Sequence, residues 1–151
     1  IQRKTIPLLL AGKDVVAMAR TGSGKTAAFG LACLQRLQAH SPVMGARALI
    51  LCPNRELALQ TEAVLKKLAV GTDLRLVSLI GGDELEAQFT SLAANPDCII
   101  ATPGRLAHLL AETGLSLLNR VEMVILDEAD RLLEDASLAE QCRSLLARLP
   151  P

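Results

Sequence analysis

A chain of 151 residues, half of them apolar, has the length of one domain and enough apolar surface for a well-buried core. Sixteen basic residues balance sixteen acidic ones, which removes global charge as a reason to expect nucleic-acid or membrane binding and makes any phosphate recognition local. Two Phe (Phe29 and Phe89) with no Tyr or Trp leave Leu, Ile, Val and Ala to fill the interior and argue against base stacking on aromatic platforms.

Residues 2 to 10 carry Ile6, Leu9 and Leu10 at helical spacing, and Gly12 is placed to stop that helix. Asp14-Val15-Val16-Ala17-Met18 reads as a first strand. It runs into Ala19-Arg20-Thr21-Gly22-Ser23-Gly24-Lys25-Thr26, after which a helix from about Gly24 to Ala39 places Leu31, Leu34 and Leu37 on one face until Ser41-Pro42 breaks it. Ala48 to Cys52 is a continuous apolar run ending at Pro53, as in a strand covered on both faces. A helix through Leu57, Val64, Leu65 and Leu68 follows, then a strand from Leu74 to Ile80, a Gly81-Gly82 turn and a helix from Glu84 to Ala94. Asp97 to Ala101 is the fourth strand, closed by Thr102-Pro103-Gly104-Arg105 and a helix through Leu106, Leu109 and Leu110. Val121 to Leu126 is the fifth, running into Asp127-Glu128-Ala129-Asp130, and a last helix covers roughly Leu138 to Leu149.

Strands alternating with helices predict an α/β fold: a parallel sheet with helices on both faces and ligands at the carboxyl ends of its strands. Every motif considered below follows a strand, so all should share one rim. No apolar run has the length of a membrane span and no signal-peptide pattern is present. Cys33, Cys52, Cys98 and Cys142 are widely separated, so buried free thiols in a reducing compartment are expected rather than a zinc site. His40 and His108 stand alone and read as surface or helix-end residues. A chain that begins at Ile1 and ends at Pro150-Pro151 reads as a piece of something longer.

Strand, glycine-rich loop, helix is the context of a phosphate-binding loop. Gly22 and Gly24 free the backbone to turn successive N–H groups around phosphate oxygens at the positive end of a helix. Lys25 adds a cation for the outer phosphates, and Thr26 a hydroxyl for a magnesium ion bridged to nucleotide. The strict pattern has glycine where this chain has Ala19; a Gly/Ser-rich turn ahead of an amphipathic helix would leave Gly-Lys-Thr unexplained. Asp127, after a buried strand, suits the same ion through water, and Glu128 suits the attacking water. Alone, this acidic run would read as a solvated helix start.

Ala19 to Thr26 and Asp127-Glu128-Ala129-Asp130 together resemble the first of the two RecA-like domains of a DEAD-box ATP-dependent RNA helicase, across nearly the whole chain. Pro53-Asn54-Arg55-Glu56-Leu57-Ala58 is similar to that family's P-T-R-E-L-A, Gly81-Gly82 to its double glycine, Thr102 to Arg105 to its T-P-G-R, and Ile1-Gln2 to the end of its adenine-reading Q motif. The resemblance implies a RecA-like P-loop fold, ATP and Mg2+ as cofactors, and RNA as partner. It assigns adenine to Gln2, phosphates to Ala19, Arg20, Thr21, Gly22, Ser23, Gly24, Lys25 and Thr26, and metal to Thr26 and Asp127. Catalysis falls to Lys25, Asp127 and Glu128. The RNA backbone falls to Pro53, Arg55, Gly82, Thr102, Gly104 and Arg105, and coupling between domains to Asp130. Backbone contacts of this kind carry little base sequence. Gln2-Arg3-Lys4-Thr5-Ile6-Pro7 and Gly12 to Arg20 look closest to nucleolar members that act in large-subunit ribosome assembly, which implies a nuclear or nucleolar setting and pre-ribosomal particles as partners.

Asn54 replaces the family's threonine, and Asp135-Ala136-Ser137 replaces a Met-Gly-Phe-like segment, where looser packing is expected. The chain stops before the S-A-T motif and the second RecA-like domain with its arginine finger. Residues 1 to 151 are therefore expected to lack a central strand between the phosphate-loop strand and the acidic-motif strand, and on their own to be marginally folded and inactive. Two other readings stay open: a nucleotide-gated RNA clamp or assembly module without turnover, and another P-loop helicase or ATPase. Taken singly, Arg55 and Arg105 could form surface salt bridges, Gly81-Gly82 a plain turn, and Gln2 an exposed helix position.

Overall fold

The computed structural model describes residues 1–20, 22–113 and 116–150. Its elements are α1 (Gln2–Leu10), α2 (Lys25–Leu37), β1 (Ala48–Leu51), α3 (Arg55–Leu68), β2 (Leu76–Leu79), α4 (Leu85–Ala93), β3 (Cys98–Ala101), α5 (Pro103–Thr113), β4 (Met123–Leu126), α6 (Ala129–Glu134) and α7 (Ala136–Leu146). The strands form one parallel sheet in the order β2-β3-β1-β4. Every residue of β1 and β3 is buried, as their continuous apolar runs predict.

Alternate residues of each strand face opposite layers. Leu49, Leu51, Ile99 and Ala101 join Leu106 and Leu109 of α5, Leu132 of α6 and Cys142 and Leu145 of α7 in one cluster. Ala48, Ile50, Cys98 and Ile100 join Cys33 and Leu37 of α2 and Ala58 and Leu65 of α3 in the other. The sheet thus has helices on both faces. All four cysteines are buried and free, as expected.

Residues 14–18 depart from the expected first strand. They form no strand, and Val16 and Met18 are 96% and 92% exposed. A β-type sequence becomes a strand only when a neighbour takes its backbone hydrogen bonds and covers a face. Among the described residues β4 pairs with β1 alone, so nothing lies beside it for residues 14–18 to join. The sheet is four-stranded rather than five, and β4 is half-buried along its whole length.

Two turns follow local rules. Gly12, at φ 74°, ends α1 with its amide on the Leu9 carbonyl (3.0 Å) and that of Lys13 on Leu8 (3.0 Å). Asp135 separates α6, a short helix not expected from sequence, from the expected last helix: it caps α7 by accepting the Leu138 amide at 2.9 Å, so that helix starts at Ala136 rather than near Leu138, and the Asp135-Ala136-Ser137 segment is exposed.

At the amino end of the sheet, Asp97 is a buried hub. Its carboxylate receives His40 Nδ1 (2.8 Å), Arg47 Nη2 (2.8 Å), the Ser41 amide (3.0 Å) and the Arg75 amide (2.9 Å). Burial alone would raise its pKa. The amides of Arg75 and Ser41, then the His40 and Arg47 side chains, instead hold it below the usual carboxylate range. His40 is therefore a structural partner of Asp97, while His108 makes a looser i,i+4 pair with Glu112 (3.7 Å).

Candidate active site

Four loops leave the carboxyl ends of the strands: Pro53 follows β1, Gly81 follows β2, Thr102 follows β3 and Asp127 follows β4. The phosphate loop joins them from the start of α2, although the segment before it is unpaired. Gly22 (φ 77°) and Gly24 (φ 85°) are left-handed, and Gly24 is the N-cap of α2, so the turn needs the freedom their sequence predicted. A Cβ on Gly24 would lie 2.5 Å from Gln2 Nε2, which itself donates to the Gly24 carbonyl at 3.4 Å. Gln2 is thus placed on the loop, and Ile1, Gln2, Arg3, Lys4 and Ser23 line a shallow surface cleft. The Lys25 ammonium folds back to the carbonyls of Ala19 and Arg20, which fixes a cation at the mouth of the loop. Thr26 is the second residue of α2; Thr21 lies outside the described residues.

Asp127 is 6% exposed, and its amide is tied to the Leu51 carbonyl of β1 at 2.9 Å. Its carboxylate receives one hydroxyl, Thr61 Oγ1 of α3 at 3.2 Å, and the Glu128 amide at 3.1 Å. None of the ion pairs among the described residues reaches it. Burial raises its pKa, the Thr61 hydroxyl and Glu128 amide oppose this, and the charges of Glu128 and Lys25 act in opposite directions. Burial and then the Asp127 charge push the Cys52 thiol, at the end of β1, up to about 12, with the nearby Thr61 hydroxyl opposing the shift.

A buried carboxylate with no cationic partner suits a metal ion. No three His, Cys, Asp or Glu side chains cluster to hold one unaided among the described residues. That fits Mg2+, which keeps waters and takes one or two protein oxygens plus phosphates; Asp127 and Thr26 are the groups that would hold it. Glu128 has φ 50°, a left-handed position that costs a non-glycine residue roughly 1–2 kcal/mol. Its carboxylate pairs with Arg131 at 3.3 Å, and Asp130 is exposed in the first turn of α6.

The other loops converge on the turn after β2. Arg55 Nη1 donates to the Gly81 carbonyl (2.6 Å) and to Asp83 Oδ1 (2.7 Å). Arg105 donates from Nη2 to the Asp83 carbonyl (2.6 Å) and from Nε to Gln88 Oε1 (2.8 Å). Gly82 has φ 90°, with Arg55 Nη1 3.2 Å from where its Cβ would be. A Cβ on Gly104 would lie 3.1 Å from Gln141 Oε1. The Arg55–Asp83 pair is the surface salt bridge weighed as an alternative for Arg55; it is half-exposed. Asn54 accepts the Leu57 amide at 2.9 Å and caps α3, a role its hydrogen-bonding side chain shares with threonine. Pro53, Arg55, Gly82, Thr102, Gly104 and Arg105 therefore lie in the loops or first helical turns that follow neighbouring strands, on one rim.

Three residues here were not singled out from sequence. Asp83 holds Arg55, and Gln88 holds Arg105 while donating to the Ile80 carbonyl at 2.7 Å. Thr61 reaches Asp127. The available signal was polarity in the wrong place, since Gln88 and Thr61 are polar residues on buried helix faces.

The DEAD/DEAH box helicase family model matches residues 1–151. The ATP-dependent RNA helicase DBP10 of Yarrowia lipolytica is 62% identical over 150 residues, 99% of this chain and 16% of that protein. The protein of the same name in Chaetomium globosum is 60% identical over 151 residues, 100% of this chain and 20% of that protein. The chain thus spans about a sixth to a fifth of the length of these curated relatives. Among solved structures, a DEAD box protein from Methanococcus jannaschii superposes with a TM-score of 0.85 at 33% identity, covering 97% of this chain and 39% of that one. A hypothetical ATP-dependent RNA helicase from Sulfolobus tokodaii superposes at 0.84 with 35% identity, covering 97% and 41%.

Proposed function

The chain belongs to the DEAD/DEAH box helicase family, and from that premise we propose that it is the larger part of the first RecA-like motor domain of an ATP-dependent RNA helicase that remodels RNA duplexes or RNA–protein particles. The observation that carries this reading is Asp127: a buried carboxylate at the end of a strand, without an ion pair among the described residues, within the electrostatic reach of Lys25.

Gln2 reads adenine, since its amide both donates and accepts. The loop from Ala19 to Thr26, including Arg20, Thr21, Gly22, Ser23 and Gly24, presents its amides to the phosphates, and Lys25 neutralises their outer oxygens. Thr26 and Asp127 would hold Mg2+, which would supply further neutralisation of phosphate charge. Glu128 orients the attacking water and accepts its proton. Pro53, Arg55, Gly82, Thr102, Gly104 and Arg105 hold an RNA backbone, with Arg55 and Arg105 exchanging part of their bonding to the Asp83 turn for phosphate. Asp130, exposed beside Glu128, is placed for coupling to a second RecA-like domain. The subgroup resemblance supports a setting in ribosome assembly, in the nucleus or nucleolus, on pre-ribosomal particles. A clamp without turnover finds no support in Asn54, which caps α3 normally.

Glu128→Gln in the full-length protein tests the assignment. ATP and RNA binding are expected to persist while hydrolysis is lost; undiminished turnover would remove Glu128 from its role.

A further inference from the structure

Thr61 is 1% exposed in the middle of α3, and its hydroxyl is spent in one direction. It donates to Asp127 Oδ2 at 3.2 Å instead of falling back on its own helix, as Thr in a helix interior commonly does. That bond joins the middle of α3 to the end of β4.

The same helix is anchored at its start to the opposite part of the rim. Asn54 caps it, and Arg55, its first residue, grips the Gly81 carbonyl and Asp83. Arg55 and Thr61 are six residues apart, about 9 Å along a rigid helix. A ligand that draws Arg55 off the Asp83 turn would pull on α3, and Thr61, the side-chain donor to the Asp127 carboxylate among the described residues, would carry that displacement to it.

We infer that Thr61 is a positioning residue that couples the two ligand sites: through α3 it ties the aim of the Asp127 carboxylate to the occupancy of the Arg55 side, so that each ligand changes the affinity of the other. This rests on the proposed function, in which Asp127 and Lys25 serve nucleotide and Arg55 serves RNA. It requires no contact between Thr61 and either ligand.

The test is equilibrium binding in the full-length protein. A fluorescent non-hydrolysable ATP analogue is titrated with Mg2+, with and without a saturating unstructured oligouridylate, and the ratio of the two Kd values is the coupling. Coupling is reciprocal, so oligouridylate titrated with and without nucleotide must give the same ratio. Thr61→Val and Thr61→Ala remove the hydroxyl and are expected to lower the ratio by about two- to thirtyfold, with the affinity for oligouridylate alone unchanged. Thr61→Ser keeps the hydroxyl and is expected to retain the wild-type ratio. Thermal melts identify variants that fail to fold, and either hydroxyl-free variant suffices. A folded hydroxyl-free variant with the wild-type ratio, or a folded Thr61→Ser without it, overturns the inference. A wild-type ratio of one also overturns the inference, whereas a wild-type protein that binds neither the ATP analogue nor oligouridylate would sink the proposed function, so the two failures are distinct.

Discussion

Asp97 and Asp127 lie at opposite ends of the sheet, one just before β3 and the other just after β4, and both are almost wholly buried, at 2% and 6% exposure. Asp97 meets an imidazole, a guanidinium and two backbone amides, and its pKa is lowered. Asp127 meets one hydroxyl and the amide next to it, and its pKa is raised. At comparable burial the carboxylate is used in two ways. Matched on every side, it fastens the loops at the amino end of the sheet; left short of positive charge, it carries a burial cost that a cationic ligand would offset.

The largest expected effect is at the fastened end. Asp97→Asn leaves Arg47 buried without its counter-charge, and breaking a buried pair in this way costs about 3–5 kcal/mol. Protection of the β1 and β3 amides against hydrogen exchange in the full-length protein should fall by roughly two to four orders of magnitude; a loss under tenfold would make the hub ornamental. At the other end, Lys25→Ala removes the cation shared by the loop and the nearby carboxylate. ATP affinity should drop by about 1.5–3 kcal/mol, the usual worth of a hydrogen bond to a charged group, with amide protection of the sheet unchanged. Equal damage to both quantities would dissolve the distinction between the two ends.

Acid sharpens the comparison further. Because the folded pKa of Asp97 lies below its unfolded value, its contribution to stability is fully present above that unfolded value, about 3.9, and is lost as pH falls through the folded one. Amide protection of β3 should therefore hold from neutral pH to about 5 and fall only below about 4, and Asp97→Asn should flatten that limb. The smallest effect belongs to the RNA side. Arg105→Ala should weaken binding similarly across unrelated single strands and lower the slope of log affinity against log salt by about one. A loss confined to one RNA sequence would count against a backbone reader there.

How far sequence reached follows the same division. The phosphate loop, the runs in β1 and β3 and the acidic motif were legible because each depends on neighbours along the chain: glycine freedom at Gly22 and Gly24, continuous apolar residues, a carboxylate after a buried strand. Residues 14–18 were misread because strand formation depends on what lies beside them, and Val16 and Met18 found nothing to cover them. The Asp97 hub draws on His40, Ser41, Arg47 and Arg75, and the Thr61–Asp127 bond spans 66 residues; no local pattern announces either. Asp135 shows the converse, a local cap signal that starts α7 two residues before the apolar pattern at Leu138 announces the helix.

The measurement that bears most directly on the central claim is Asp127→Asn in the full-length protein, with hydrogen exchange and Mg2+-dependent ATP-analogue binding followed on the same samples. The amide keeps an oxygen for the Thr61 hydroxyl while removing a buried charge that lacks an ion pair. Amide protection of β1 and β4 should therefore be unchanged or higher, and the Mg2+ dependence of nucleotide binding should be lost. Weakened protection with Mg2+ dependence intact would show Asp127 to be a structural carboxylate like Asp97 and contradict the account.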